Sequence, residues 1–106
     1  MSFHGSATVS AAGTSVPLVA STVLTPTGRF CAAVVIQYDG GANVYGGFGT
    51  VAADVSATSF GWHLSSAIPA VTIGDVGDRS NPIDLTQIRI DSDTSSEKVR
   101  FTAIQY

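Results

Sequence analysis

Phe30 to Tyr38, FCAAVVIQY, is a continuous apolar run, rich in β-branched residues and bounded by turn residues on both sides. A short run of that kind reads as a strand covered on both faces, so the rest of the chain has to supply the layers that cover it. No apolar pattern recurs at i, i+3 and i+4 over three turns, which removes amphipathic helices as the covering material. What remains is a series of short apolar runs at about ten-residue spacing. The predicted fold is therefore all-β, an antiparallel β-sandwich or jelly-roll-like barrel of about eight short strands. With 106 residues and no linker-like tract or internal repeat, residues 1–106 form a single domain.

Residues 1–14, MSFHGSATVSAAGT, carry no helical stripe and read as an extended N-terminal arm or a weak edge strand. Val16 to Leu24 holds Pro17, which has no N–H to give a ladder and so suits an edge or a strand start. Asp39 to Gly41, DGG, supplies the positive φ angles of a tight hairpin, and Asn43 to Val51 returns with glycines that suggest a bulge or close backbone approach. Thr58 to Leu64, TSFGWHL, alternates imperfectly, and AVTIGDV follows it. The clearest alternation is near the end, where Ile88 and Ile90 interleave with Arg89 and Asp91, and Val99, Phe101 and Ala103 with Arg100 and Thr102.

Charged residues are 12% of the chain, about half the usual share, so much of the surface is Ser, Thr, Asn and Gly. A surface with so few charges is poorly guarded against association, which predicts that neighbouring chains cover part of it. The net charge is −3 and only five residues are basic, interleaved with acids, which argues against nucleic acid as the main partner. No apolar stretch is long enough to cross a bilayer as a helix, so no membrane partner is expected. MSFHGS shows neither the basic nor the apolar region of a secretory signal, which points to synthesis and assembly in a cytoplasm.

Signals for chemistry are sparse, and no enzymatic activity is expected. The single Cys31 lies within the apolar run, where a small buried thiol is the natural reading. His63 has Ser59 and Ser65 nearby, but no G-x-S-x-G elbow is present. His4, His63 and Cys31 do not make a zinc spacing. Gly46 to Gly49, GGFG, lacks the following helix that a phosphate cradle needs, leaving a glycine-kinked strand. Neither a metal nor a cofactor is expected.

The acidic stretch Asp91–Glu97, DSDTSSE, is the strongest candidate for a cation loop. An EF-hand loop counted from Asp91 would need glycine at its sixth position and glutamate at its twelfth, where Ser96 and Thr102 stand. Strand parity offers a hairpin instead. Asp91 opposite Lys98 sets Ile90 against Val99 and Ile88 against Phe101, and a shift that sets Arg89 against Lys98 satisfies parity equally well. A second acidic loop, Asp75 to Asp84, could meet the first and share a cation with it.

The succession VIQYDGGANVYGGFG, then VTIGDVGD, then NPIDLTQIRIDSDTSSEKVRFTAIQY, resembles small virion structural proteins of tailed bacteriophages. The phrase DLTQIRIDSDTSSEKVRFTAI carries most of the likeness, which spans Phe30 to Tyr106. The resemblance implies a β-sandwich cement protein that decorates the capsid surface, stabilises the head by bridging capsomers, and acts without catalysis. It implies as partners other copies of the chain, as a homotrimer, and the major capsid protein. An alternative within the same group is a tail or baseplate module that binds a receptor or carbohydrate, with Tyr45, Phe60 and Trp62 as the candidate interface.

Overall fold

A computed structural model describes residues 2–20, 22, 28–48, 55, 56, 58, 60–74 and 82–105. These residues form nine strands in two antiparallel sheets packed face to face, a β-sandwich. The strands are β1 (Ser2–Val9), β2 (Val16–Pro17), β3 (Phe30–Tyr38), β4 (Val44–Phe48), β5 (Trp62–Leu64), β6 (Ala70–Gly74), β7 (Ile83–Asp84), β8 (Ile88–Ser92) and β9 (Glu97–Gln105). One sheet runs β1-β9-β3-β6, with β7 also paired to β3, and the other runs β2-β8-β4-β5. The only helical element described is a single 3₁₀ turn at Leu85–Gln87.

The apolar alternation explains the core. In β1, Phe3, Gly5, Ala7 and Val9 turn inward while Ser2, His4, Ser6 and Thr8 face out. Their partners on β9 set large against small, with Phe3 opposite Ala103, Gly5 opposite Phe101 and Ala7 opposite Val99. A register shift between Cys31 and Ala33 flips the parity of β3, which lets Cys31, Val34 and Ile36 all enter the same core. From the other sheet, Val44, Leu64, Ile88 and Ile90 meet them and are fully buried or nearly so. The expectation for Phe30 to Tyr38 holds in part: Cys31 to Val34 are buried in succession, as cover on both faces requires, but of the rest only Ile36 is buried, Val35 and Tyr38 are half-buried and Gln37 is exposed.

The predicted hairpins do not form. β8 pairs with β2 and β4, whereas β9 pairs with β1 and β3, so the segment between them carries the chain from one sheet to the other. Neither register proposed for Ile88, Ile90, Val99 and Phe101 exists. The four residues nevertheless share one core, because inward parity is satisfied equally by pairing within a sheet and by facing across the sandwich. The same correction applies to Asp39–Gly41. Gly40 does take φ +91°, but the turn leads from β3 in one sheet to β4 in the other.

Several elements are shorter or better placed than the sequence implied. Residues 2–9 are a full edge strand rather than an arm. Among the described residues of Val16 to Leu24, Val16 and Pro17 form the strand, at the edge where Pro17 was expected. Among the described residues of Thr58 to Leu64, Trp62 to Leu64 form the strand. The close approach expected of the β4 glycines is at Gly46, where the Trp62 indole lies directly over the backbone. A Cβ at that position would fall well inside van der Waals contact of the ring. Gly46→Ala is therefore expected to lower unfolding free energy by about 1–3 kcal/mol in a denaturant melt, as overpacking of a closed site does. An unchanged midpoint would show that the indole does not sit there.

Candidate functional site

The acidic stretch occupies the end of the sandwich where the chain crosses between sheets, and each of its carboxylates already has a partner. Asp91 alternates with the core residue Ile90, yet it is only 2% exposed because residues 10–15 cover it. Its Oδ1 accepts from the Gly13 amide at 3.0 Å and from the Ser92 amide at 2.8 Å. Arg89 completes the attachment of the same loop, donating to Ser15 Oγ at 3.0 Å and to the Ser15 carbonyl at 2.8 Å. Ser95 Oγ accepts from the Ala12 amide, and the Ser96 amide donates to the Val9 carbonyl at 2.8 Å.

The same stretch holds the loop between β3 and β4. Glu97 accepts from the Ala42 amide at 2.7 Å, and a Cβ on Gly41 would collide with its carboxylate, so glycine is what allows the loop to close down. The Asp93 amide donates to the Asn43 carbonyl at 3.3 Å, and the Asp93 carboxylate accepts from the Tyr45 hydroxyl at 3.0 Å to each oxygen. The predicted solvated tip is thus corrected for Asp91 and Ser92, which are buried, and kept for Asp93 to Ser96, which are exposed. An Arg89–Arg100 pair, which the register with Asp91 opposite Lys98 would bring, does not arise, since Arg89 is on β8 in one sheet and Arg100 on β9 in the other, where its Nε lies 3.0 Å from Asp39, the residue after β3. No group of three or more metal-ligating side chains occurs among the described residues. The second acidic loop lies, from Asp75 to Asn81, outside the described residues.

Asp84 closes the opposite end. It caps the 3₁₀ turn by accepting from the Thr86 amide and hydroxyl, and it takes a paired contact from Arg29 at 3.2 and 3.0 Å. Burial pushes its carboxyl upward, but the Arg29 and Thr86 hydrogen bonds outweigh that and hold it below the usual carboxylate range.

The outer face of the second sheet carries an aromatic cluster. Tyr45 on β4 stands opposite His63 on β5, and Phe60 packs over both, with ring centroids 5.0 Å from Tyr45 and 5.6 Å from His63. Phe60 is 44% exposed, one of few large apolar side chains to be so. Burial, then the bond to Asp93, push the Tyr45 phenol upward, so its hydroxyl stays protonated as a donor.

Of the expected interface residues, Tyr45 and Phe60 come together and Trp62 does not join them. Trp62 is one position before His63, so the strand pleat turns it inward over Gly46, and its ring packs against the core. Its indole N–H is buried with no acceptor among the described residues. His63 takes the third place in the cluster. The signal for it lies in the strand period, since adjacent residues of one strand face opposite ways and Trp62 and His63 are adjacent.

Among the described residues of this region, no hydroxyl is arranged as a nucleophile against His63. Ser65 Oγ accepts from the amides of Ala67 and Ile68 in a turn, and Ser59 lies outside the described residues. Gly46 and Gly47 lie on β4, and the residues just after that strand, 49–54, lie outside the described residues. Cys31 is fully buried, and burial pushes its thiol up to about 11. Comparison of the chain with protein-family models, with characterised proteins and with solved structures finds no match.

The thiol gives a direct check on this packing. With the folded value raised above the usual value near 9.0, the unfolded chain loses its proton first, so stability falls as pH rises through about 9 to 11. At pH 8, a thiol reagent is expected to leave the native chain untouched and to titrate one thiol after denaturation. Rapid native labelling would contradict the burial.

Proposed function

We propose that this chain is a non-enzymatic decoration protein of a tailed-bacteriophage capsid, which stabilises the shell by bridging neighbouring capsomers of the major capsid protein. The observation that carries the reading is the use made of the polar side chains. Asp91, Asp93, Glu97, Arg89 and Ser95 are all engaged in tying loops to one another, and among the described residues no cluster suited to catalysis stands apart from them. A small sandwich whose polar groups brace its own loops, and whose surface has few charges, suits a structural module better than an enzyme. The resemblance over Phe30 to Tyr106 supplies the virion setting.

Binding to the assembled shell alone stabilises it in proportion to occupancy. Shells to which the purified protein has been added are therefore expected to withstand higher temperature than bare shells, with the gain saturating as sites fill. Equal melting of decorated and bare shells, with the protein absent from sedimented particles, would overturn the reading.

The aromatic cluster favours one alternative, a tail or baseplate module that holds a sugar ring. Phe60 offers an exposed ring face, and Tyr45 and Asp93 supply a hydroxyl and carboxylate beside it. On that reading a glycan array returns a hit, and Phe60→Ala weakens it about tenfold, roughly 1.4 kcal/mol. An array without hits removes the alternative.

A further inference from the structure

Among the described residues five strands lie at sheet edges, and four of them are blunted; β7, beside β3, has only two residues. β2 pairs over two residues and holds Pro17, β5 has three residues, and β6 has five and ends at Gly74 with φ +93°. Short edges, prolines and irregular ends are the usual defences against pairing with another chain. β1 has none of them. It runs eight residues, Ser2–Val9, in unbroken register with β9, and SFHGSATV contains no proline, lysine, arginine or acid.

Hydrogen bonds at both sides of the sheet fix which groups that edge presents. The Val9 carbonyl accepts from Ser96, so it points toward β9, and N–H and C=O groups of successive strand residues alternate in direction. The Tyr38 amide donates to Pro69 beside β6, which sends Gln37 and Val35 toward β9, sends Phe101 and Val99 toward β1, and so gives the same phase. Phe3, Gly5, Ala7 and Val9 thus pair with β9, and the backbone of Ser2, His4, Ser6 and Thr8 is directed outward. No other strand among the described residues pairs with β1.

We infer that this edge pairs with β1 of a second copy, antiparallel about a twofold axis, so that the two β1-containing sheets become one. The register follows from three conditions that agree. Outward backbone groups must meet outward groups, inward side chains must stay on the core face, and the most residues must be used. All three are met with Gly5 on the axis, pairing Ser2 with Thr8 and His4 with Ser6 of the other copy. Those pairs exchange about eight hydrogen bonds. On the core side the register sets Phe3 against Ala7, repeating the large-on-small pairing that β1 already makes with Ala103 and Val99. No charged side chains stand on the strand to repel one another. The contact is isologous and closed, which gives a dimer in place of the trimer implied by the phage resemblance.

Ser6→Pro tests this in the isolated protein, without any shell, so the outcome is independent of the decoration reading. Proline at Ser6 removes an outward N–H and spares the ladder with β9. Native mass spectrometry and light scattering are expected to give twice the chain mass for the wild type and the single mass for Ser6→Pro, with both circular dichroism spectra showing the same β-sheet. His4→Glu with Ser6→Glu is the second variant, placing like charges opposite each other across the axis. It is expected to weaken the dimer at least about tenfold at low salt and to recover part of that loss at high salt. A wild type that is monomeric at 100 µM or trimeric would overturn the inference. So would a dimer that survives in the glutamate variant, whether or not Ser6→Pro folds.

Discussion

The crossing from β8 to β9 is the constraint on which the rest of this sandwich depends. Two sheets that share a core must be joined by segments that leave one layer and enter the other, and the backbone of such segments has no ladder to satisfy it. Here the Asp91–Glu97 segment supplies the missing partners for two further loops as well as for itself. The buried Asp91 carboxylate holds the loop before β2, and Glu97 holds the loop before β4. A stretch that reads as a row of metal ligands is better described as a set of hydrogen-bond acceptors that brace one end of the molecule.

That arrangement bears on function through what it leaves over. The carboxylates of Asp91, Asp93 and Glu97, the Ser95 hydroxyl and the Arg89 guanidinium are engaged in the fold. The cysteine is enclosed, with its thiol held protonated. Among the described residues, two surface features stand out. One is the Tyr45, Phe60 and His63 cluster on the outer face, and the other is the plain edge of β1. They lie on different sheets, so self-association through β1, as proposed above, would leave the aromatic face uncovered.

The all-β class and the membership of the core were legible in the sequence, because both follow from side-chain alternation. Ile88, Ile90, Val99 and Phe101 are all in the core as their parity requires. The pairing of those strands was not legible. Alternation states which way a residue faces but not whether its neighbour lies beside it in a sheet or across the sandwich, and a six-residue polar loop permits both. The candidate interface shows a similar limit. Composition singled out Trp62 as the largest aromatic, whereas the pleat decides orientation and turns it inward, putting His63 beside Tyr45 instead. The roles of Asp91 and Glu97 required knowing that Gly13 and Ala42, distant in sequence, come to the same end of the fold.

Amide hydrogen exchange at Gly13 and Ala42 tests the bracing most directly, since both amides sit in loops and neither belongs to a ladder. If Asp91 and Glu97 hold them as described, both exchange at least about a hundredfold more slowly than unstructured amides. Exchange of both at the unstructured rate, while the β9 amides stay protected, would show that the acidic stretch does not bind these loops and would return its carboxylates to the search for a site.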